Sequence, residues 1–209
     1  MAARDAIIAE TNDIHAHICH ISTKTSKNMI RDAKKRGVKI TCETCPHYFS
    51  LTVDEVLRKG TNAKMNPPLR EEKDRLAIIE GLKEGTIDCI ITDHAPHSKE
   101  EKDKPLDQAP SGITGIETSL ALGVTELVEK GYLSMMQLLE KMTVNPAKLY
   151  NMEQGRLQEG KPADVVLFDP EEEWEVKEYK SKATNSPFTG WKLKGKVKYT
   201  ICDGKIIEL

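Results

Sequence analysis

The chain has 209 residues, of which 38% are hydrophobic and 31% charged, enough apolar material for a core beneath a well-hydrated surface. Its 31 basic and 33 acidic residues give a formal net charge of -2, which argues against a nucleic-acid partner recognised through a clustered basic excess. There is no apolar run of about 18 residues and no signal-peptide pattern, so we expect no membrane partner. The five cysteines are an odd number and are typical of reduced thiols, which predicts a cytoplasmic location.

Three short apolar runs in the first half of the chain end in polar residues that can do chemistry. They cover residues 14–22, 38–47 and 87–97 and are rich in Ile, Val, Thr and Cys. Runs that are apolar almost throughout are typical of strands buried on both faces, as in a parallel sheet. The cysteine pair Cys42 and Cys45 lies in the second run, where we interpret it as core packing and not as a redox or zinc pair.

Helical patterns separate these three runs. Residues 26–36 place apolar side chains along one side and stop at Gly37, a residue suited to a helix carboxyl terminus. Residues 72–83 show the same spacing, and residues 54–58 form a shorter candidate. Strands that alternate with helices through short connections predict an α/β fold with a parallel sheet.

The next part of the chain is helical, in segments at residues 119–130, 134–142 and 145–150. Ser134 is positioned to cap the second of these segments. We therefore assign residues 1–150 to one α/β domain.

The composition changes to a β-rich pattern after residue 151. Strand patterns occupy residues 165–168, 174–176 and 196–207, the last with a turn at Asp203 and Gly204. These features predict a small β-rich module over residues 151–209.

The side chains most suited to catalysis follow the predicted parallel strands. All six histidines precede residue 98, and His20, His47 and Asp93 lie at the ends of the three apolar runs. Such strand ends converge on one edge of an α/β sheet or barrel, where sites form. A carboxylate and imidazoles can bind a divalent metal that activates water, and the carboxylate can shuttle a proton. This combination favours a hydrolase acting on an amide-type carbonyl.

A second informative feature is the NPPLR run at residues 66–70. Two prolines make the loop rigid and favour an extended backbone at Asn66. The loop could present the Asn66 amide to a planar imide or ureide, or Asn66 could simply begin a turn. The run alone leaves both interpretations open.

Several motifs together resemble bacterial-type dihydroorotase, a member of the amidohydrolase superfamily, and they occur in the family's order. They cover residues 19–22, 43–48, 64–70, 87–97 and 112–117. Residues 160–167 and 186–190 resemble the carboxyl-terminal module of many amidohydrolases. The likeness extends over essentially the whole chain but corresponds to the carboxyl-terminal half of the family. It implies a partial (β/α)8 TIM barrel, about strands six to eight, followed by part of a small β module.

The resemblance implies reversible, metal-dependent hydrolysis of the cyclic amide of (S)-dihydroorotate to N-carbamoyl-L-aspartate, a step of de novo UMP synthesis. It implies Zn²⁺ as cofactor, with one or two ions per complete site. It also implies roles for individual residues: metal ligation by His20 and Asp93, catalysis by Asp93, and substrate binding by Asn66, His97, Ser111 and Gly112. His47 is expected to pack nearby without binding metal, and His94 to orient the aspartate or its loop.

The chain departs from the family at the expected first-strand HxHxR motif and at the fourth- and fifth-strand ligands, none of which it contains. His20 and Asp93 alone cannot complete a catalytic zinc site, which needs three or four protein ligands. We therefore expect an incomplete chain that is inactive and poorly stable by itself. Its expected partners are the small-molecule substrate and either the missing barrel half or further copies in a homo-oligomer.

Two other functions remain open from the sequence. One is a hydantoinase- or allantoinase-type cyclic amidohydrolase, which would differ in its upstream motifs and in the rings it opens. The other is an inactive dihydroorotase-like scaffold that partners another pyrimidine-pathway enzyme. The presence of both Asp93 and His20 argues mildly against the second of these.

Overall fold

A short parallel sheet lies at the centre of the first part of the protein. The computed structural model describes residues 1–208. The strands are β1 (Ala16–Ile18), β2 (Ile40–Thr44) and β3 (Cys89–Ile90), in the order β1-β2-β3. β1 pairs with β2, and β2 with β3, in parallel register. The three apolar runs are therefore neighbouring parallel strands of an α/β structure, as predicted, although each ladder is shorter than its run.

Helices connect and cover these strands. In the first part of the chain they are α1 (Ala2–Asn12), α2 (Lys24–Lys35), α3 (Pro46–Ser50), α4 (Asp54–Lys59), α5 (Glu72–Lys83) and α6 (Lys99–Lys102). The start of α2 is capped by Thr23, whose hydroxyl accepts a hydrogen bond from the Ser26 amide. α2 and α5 match the predicted helices closely, and their buried apolar residues recur at helical spacing, as at Ile30 and Ala33 in α2 and at Ile78 and Leu82 in α5.

The helical segment predicted at residues 119–130 has two parts. It begins as α7 (Ser119–Gly123) and continues as a π-helix over Val124–Val128. Gly123 allows α8 (Met135–Met142) to approach, because a Cβ there would lie 2.7 Å from a methyl of the buried Leu138. Ser134 caps α8, as predicted, and the structure adds a reciprocal capping box with Gln137. The last helix, α9 (Val144–Leu149), starts one residue earlier than expected.

An antiparallel sheet forms after residue 164 from β4 (Val165–Glu175), β5 (Lys192–Cys202) and β6 (Lys205–Glu208), in the order β4-β5-β6. The predicted turn at residues 203–204 joins β5 to β6, with Ile201 opposite Ile206. The strand pattern at residues 165–168 begins β4 and the pattern at 174–176 marks its end at Glu175, so one strand continues through the residues between them. A register shift between Asp169 and Glu173 accommodates the intervening acidic residues. Because these residues show no apolar alternation, the sequence pattern does not indicate a strand there.

The hydrophobic core includes side chains from both parts of the chain. Phe49 and Ile78 are fully buried beside the parallel sheet, and Val176, Phe188 and Leu193 from the later segment belong to the same core cluster. The carboxyl-terminal segment is therefore packed onto the α/β part. The division of the chain into domains 1–150 and 151–209 stays a prediction.

The parallel sheet has two open edges. Among residues 1–208, β2 is the sole partner of β1 and of β3, so the outer side of each carries no neighbouring strand. An open cavity of about 450 Å³ lies at the amino-terminal ends of the strands, lined by residues that include His15, Thr41 and Asp88. No helix in this described part is long and apolar enough to cross a membrane.

Candidate active site

Three candidate side chains follow the three parallel strands. His20 comes after β1, His47 lies in the short helix after β2, and Asp93 comes after β3. His20 and Asp93 both have a positive φ, of 36° and 47°, which turns the backbone sharply away from the strand direction. The Asp93 Oδ2 lies 3.8 Å from the His47 Nε2. Because parallel strands end at the same edge, these residues meet at one rim of the sheet.

The electrostatics confirm that His20 belongs to the same group. Burial raises the pKa of Asp93, nearby His20 opposes this shift, and Glu43 adds to it. Burial, helped by His20, lowers the pKa of His47 to about 3. His47 is therefore neutral near pH 7 and has a nitrogen lone pair available. His20 is close enough to influence the pKa values of both neighbours, so the three side chains form one group.

Two imidazole nitrogens at this rim lack hydrogen-bond partners. They are the Nδ1 of His20 and the Nε2 of His47, both buried among the residues that the structure describes. A buried polar atom without a partner is costly, and such atoms in a cluster are typical of a ligand site. Cys45, His47 and Asp93 also present ligand atoms within 4.8 Å of one another. The donors present fit a divalent metal that accepts nitrogen, sulfur and oxygen ligands.

His47 is more central than the sequence suggests. The expectation that it packs nearby without binding metal rests on the family pattern, and that role stays a prediction. Its side chain is only 1% exposed, and its ring packs edge-on against Tyr48 at 4.1 Å between centroids. The unpaired Nε2 faces Asp93, so His47 must be included among the candidate ligands or orienting groups.

A second polar cluster runs along β1 and β2. The His17 Nδ1 forms a hydrogen bond with the Thr41 hydroxyl at 2.8 Å. Its Nε2 lies 3.0 Å from the Glu43 carboxylate. Cys19 completes a group whose ligand atoms lie within 4.8 Å of each other. Because His17 and Glu43 already satisfy one another, this cluster is best explained as a polar layer beside the site.

Three of the four predicted substrate-binding residues come together. His97 Nε2 lies 3.1 Å from the Ser111 carbonyl oxygen, so the two loops are in contact. At Gly112, φ is +131°, and an added Cβ would lie 2.5 Å from the Ala95 Cβ and 3.2 Å from the His97 Nε2. The structure thus explains why glycine occupies position 112.

The segment just before the NPPLR loop contacts the same region. The Gly112 amide donates to the Lys64 carbonyl oxygen at 2.9 Å, two residues before Asn66. The Tyr48 hydroxyl donates to the Pro67 carbonyl oxygen at 2.6 Å and holds the prolines in place. Asn66 itself is exposed. Its loop is therefore anchored beside Gly112 while its side chain faces solvent, and its role in substrate binding stays a prediction.

His94 holds the loop that contains residues 115 and 116 in place through hydrogen bonds. Its Nδ1 accepts hydrogen bonds from the Gly115 and Ile116 amides at 3.2 and 3.4 Å. Gly115 also lies very close to the backbone of Thr92, since an added Cβ would clash with the Thr92 carbonyl oxygen. The loop-orienting alternative predicted for His94 agrees with these contacts.

Two residues beside the site were not predicted from the sequence. Asn185 is 4% exposed and bonds to the loops that carry His97 and Gly112. Lys102 donates to the Pro110 and Gly112 carbonyl oxygens at 3.0 Å each, and burial lowers its pKa to about 8. The one sequence feature that could have indicated Asn185 is its position immediately before the motif at residues 186–190.

Comparison with known proteins defines the class of protein first. The model of the amidohydrolase family matches residues 2–207, and the chain belongs to that family. This agrees with a parallel sheet whose strand ends gather imidazoles and a carboxylate.

More specific relatives are dihydroorotases. The chain is 58% identical over 207 residues to the dihydroorotase of Clostridioides difficile, covering 99% of this chain and 49% of that protein. It is 57% identical over 208 residues to the Lactococcus lactis dihydroorotase, with the same coverage. The resemblance to part of a dihydroorotase is therefore confirmed, and the chain spans about half the length of these relatives.

Solved structures show the same fold in other members of the family. The L-hydantoinase of Arthrobacter aurescens matches with a TM-score of 0.89 and 30% identity over 99% of this chain and 48% of that one. A D-hydantoinase from a Thermus species matches with a TM-score of 0.91 and 28% identity over 98% and 47%. The α/β architecture described above thus occurs within longer hydrolases.

Proposed function

We propose that this chain is the carboxyl-terminal part of a dihydroorotase and supplies one side of its active site. In this proposal β1, β2 and β3 are strands six to eight of a (β/α)8 barrel, followed by part of the family's small β module. The observation that carries the proposal is the meeting of His20, His47 and Asp93 at one rim. The identity of 58% to a dihydroorotase, against 28–30% to the hydantoinases, favours this reaction within the family.

The proposed site binds one or two Zn²⁺ ions through His20 and Asp93, with the remaining ligands contributed by the missing barrel half. The unpaired nitrogens of His20 and His47 support this assignment. When bound, such a metal would supply Lewis-acid activation of water and of the amide carbonyl. The neutral state of His47 leaves it able to donate a lone pair or to orient Asp93.

Asp93 has the chemistry needed for the proton transfers. In the hydrolytic direction its carboxylate takes a proton from the attacking water while a bond forms to the ring carbonyl carbon. It then delivers that proton to the ring nitrogen as the C–N bond breaks, which yields N-carbamoyl-L-aspartate. Burial raises the pKa of Asp93, which brings a carboxyl group closer to the range useful for accepting and returning a proton.

The substrate contacts are assigned to Asn66, His97, Ser111 and Gly112. The contact between His97 and Ser111 and the close approach of Gly112 to Ala95 support a binding surface built from two adjoining loops. Groups fixed in this way can hold a planar ring against the carboxylate at little entropic cost. The proposed partners are the small-molecule substrate and either the rest of the barrel or further copies of the chain in a homo-oligomer.

A direct test uses a completed protein, meaning this chain preceded by the missing barrel strands of the Clostridioides difficile dihydroorotase. We expect zinc-loaded completed protein to open dihydroorotate with a kcat/KM about 100-fold or more above that for hydantoin, since site contacts discriminate strongly between rings. Ring opening of each substrate is followed separately. A preference for hydantoin would support a hydantoinase-type enzyme, and metal-loaded protein inactive on both would support the scaffold alternative.

Replacing Gly112 with Ala should damage the site by steric conflict. The new methyl group would lie 2.5 Å from the Ala95 Cβ, so one of the two loops must move. We expect the completed protein to lose about 1–3 kcal/mol of stability, as is usual for strained positions, and its KM for dihydroorotate to rise. Thermal unfolding and steady-state kinetics measure both effects.

The matched control is Gly85→Ala. Gly85 also has a positive φ, of 78°, but an added Cβ there meets no atom within 4 Å. This variant should lose stability through backbone strain and keep the KM of the unsubstituted protein. Equal KM values for the two variants would contradict the role assigned to Gly112.

A further inference from the structure

The Asn185 carboxamide lies between two loops of the candidate site. Its Oδ1 accepts a hydrogen bond from the His97 amide at 3.0 Å. Its Nδ2 donates to the carbonyl oxygens of Ala95 and Gly112, each at 3.1 Å. One side chain therefore connects the loop after β3 with the loop that carries Gly112, and every donor of its amide is used.

The main chain of Asn185 extends the same connection. Its carbonyl oxygen accepts the Thr114 amide at 2.9 Å, next to the position where His94 and Ile113 form an isolated parallel bridge. Thr114 is itself 3% exposed. Asn185 thus contacts two adjoining backbone segments from a position about 70 to 90 residues further along the chain.

The segment that carries Asn185 is firmly held. The Ser186 hydroxyl accepts a hydrogen bond from the Phe188 amide at 3.2 Å. Phe188 is 1% exposed and packs edge-on against Trp191, with 5.2 Å between ring centroids. A segment anchored by the buried Phe188 ring can hold the Asn185 side chain in a fixed position against the loops it binds.

We propose that Asn185 is a positioning residue that sets the spacing between His97 and Gly112 and so controls how tightly the site holds its cyclic amide substrate. The proposal rests on the function proposed above. Asn185 does not need to touch the substrate. The two N–H donors of the Asn185 amide bind the two carbonyl oxygens, and its oxygen accepts from the one backbone amide. An aspartate has the same shape but would direct a negatively charged oxygen at both carbonyl oxygens.

The test compares Asn185→Asp with Asn145→Asp in the completed protein. Asn145 donates to the Asp88 carbonyl oxygen at 2.9 Å, at the opposite ends of the parallel strands, so the chemical change is the same but distant from the site. We expect Asn185→Asp to raise the KM for dihydroorotate about 10- to 100-fold with a smaller change in kcat, because ground-state contacts are lost. Zinc content should stay unchanged, and Asn145→Asp should retain the original KM.

A second readout does not depend on turnover. Amide hydrogen exchange of the peptides that contain residues 94–97 and 111–114 should become faster in Asn185→Asp and stay unchanged in Asn145→Asp. Asn185→Ser, which introduces no charge, provides the same comparison if the aspartate variant does not fold. Equal KM and equal exchange in the 185 and 145 variants would overturn the proposal. Inactive unsubstituted protein would instead refute the proposed function, and the exchange measurement would still decide the role of Asn185.

Discussion

Asp93→Asn should lower the kcat of the completed protein on dihydroorotate by about 10⁴-fold, near the upper end of what acid–base groups contribute. The amide cannot accept the proton of the attacking water or return it to the ring nitrogen, and it is a weaker metal ligand than a carboxylate. The structure provides the reason to choose this residue, since the Asp93 carboxylate is partly buried beside His20 and His47. Initial rates and zinc content of the purified variant measure the effect.

Asp88→Asn is the matched control for this substitution. Asp88 lies just before β3 and Asp93 just after it, and the Asp88 carboxylate binds the Lys34 ammonium and the Cys42 amide. Removing its charge should reduce stability while the activity of each folded molecule stays close to the original value. An Asp93→Asn variant as active as Asp88→Asn would rule out the assigned mechanism.

The isolated 209-residue chain should be much less stable than the completed protein. The outer edges of β1 and β3 carry no neighbouring strand in the described residues, and unpaired edges promote association with other chains. We expect aggregation at micromolar concentration, or a thermal midpoint lower by about 10 °C or more, as a loss of several kcal/mol predicts. Size-exclusion chromatography and thermal unfolding of the two proteins test this expectation.

Adding the missing barrel strands as a separate chain provides the control for this experiment. Restored monodispersity and a raised thermal midpoint are expected, because the new strands would pair with the open edges. A monomeric chain with a high, cooperative transition that does not respond to the added strands would contradict the half-barrel proposal.

The sequence predicted the parallel strands and the rim residues because both depend on local signals. The runs that contain Ile40 and Ile90 are apolar almost throughout, and their polar ends locate His47 and Asp93. Once the strands are parallel, simple geometry brings their ends together. The capping of α8 by Ser134 was predictable for the same reason, since the capping box is encoded within four consecutive residues.

Other features depend on distant contacts and could not be read from local patterns. Asn185 acquires its role from loops far earlier in the chain, and no spacing rule connects these positions. The unpaired nitrogen of His47 follows from burial that only the folded chain creates. The acidic residues between Asp169 and Trp174 interrupt the apolar alternation of β4, and the register shift that accommodates them within one strand cannot be read from the local pattern.

The left-handed backbone at His20 and Asp93 affects how these positions can be engineered. A branched side chain such as valine is disfavoured there by steric conflict, whereas asparagine adopts this conformation readily. If a valine substitution abolished activity, backbone distortion and loss of the functional side chain could not be told apart. Asparagine substitution at His20 and Asp93 separates the two causes. Libraries of variants at these positions should favour residues that tolerate a positive φ.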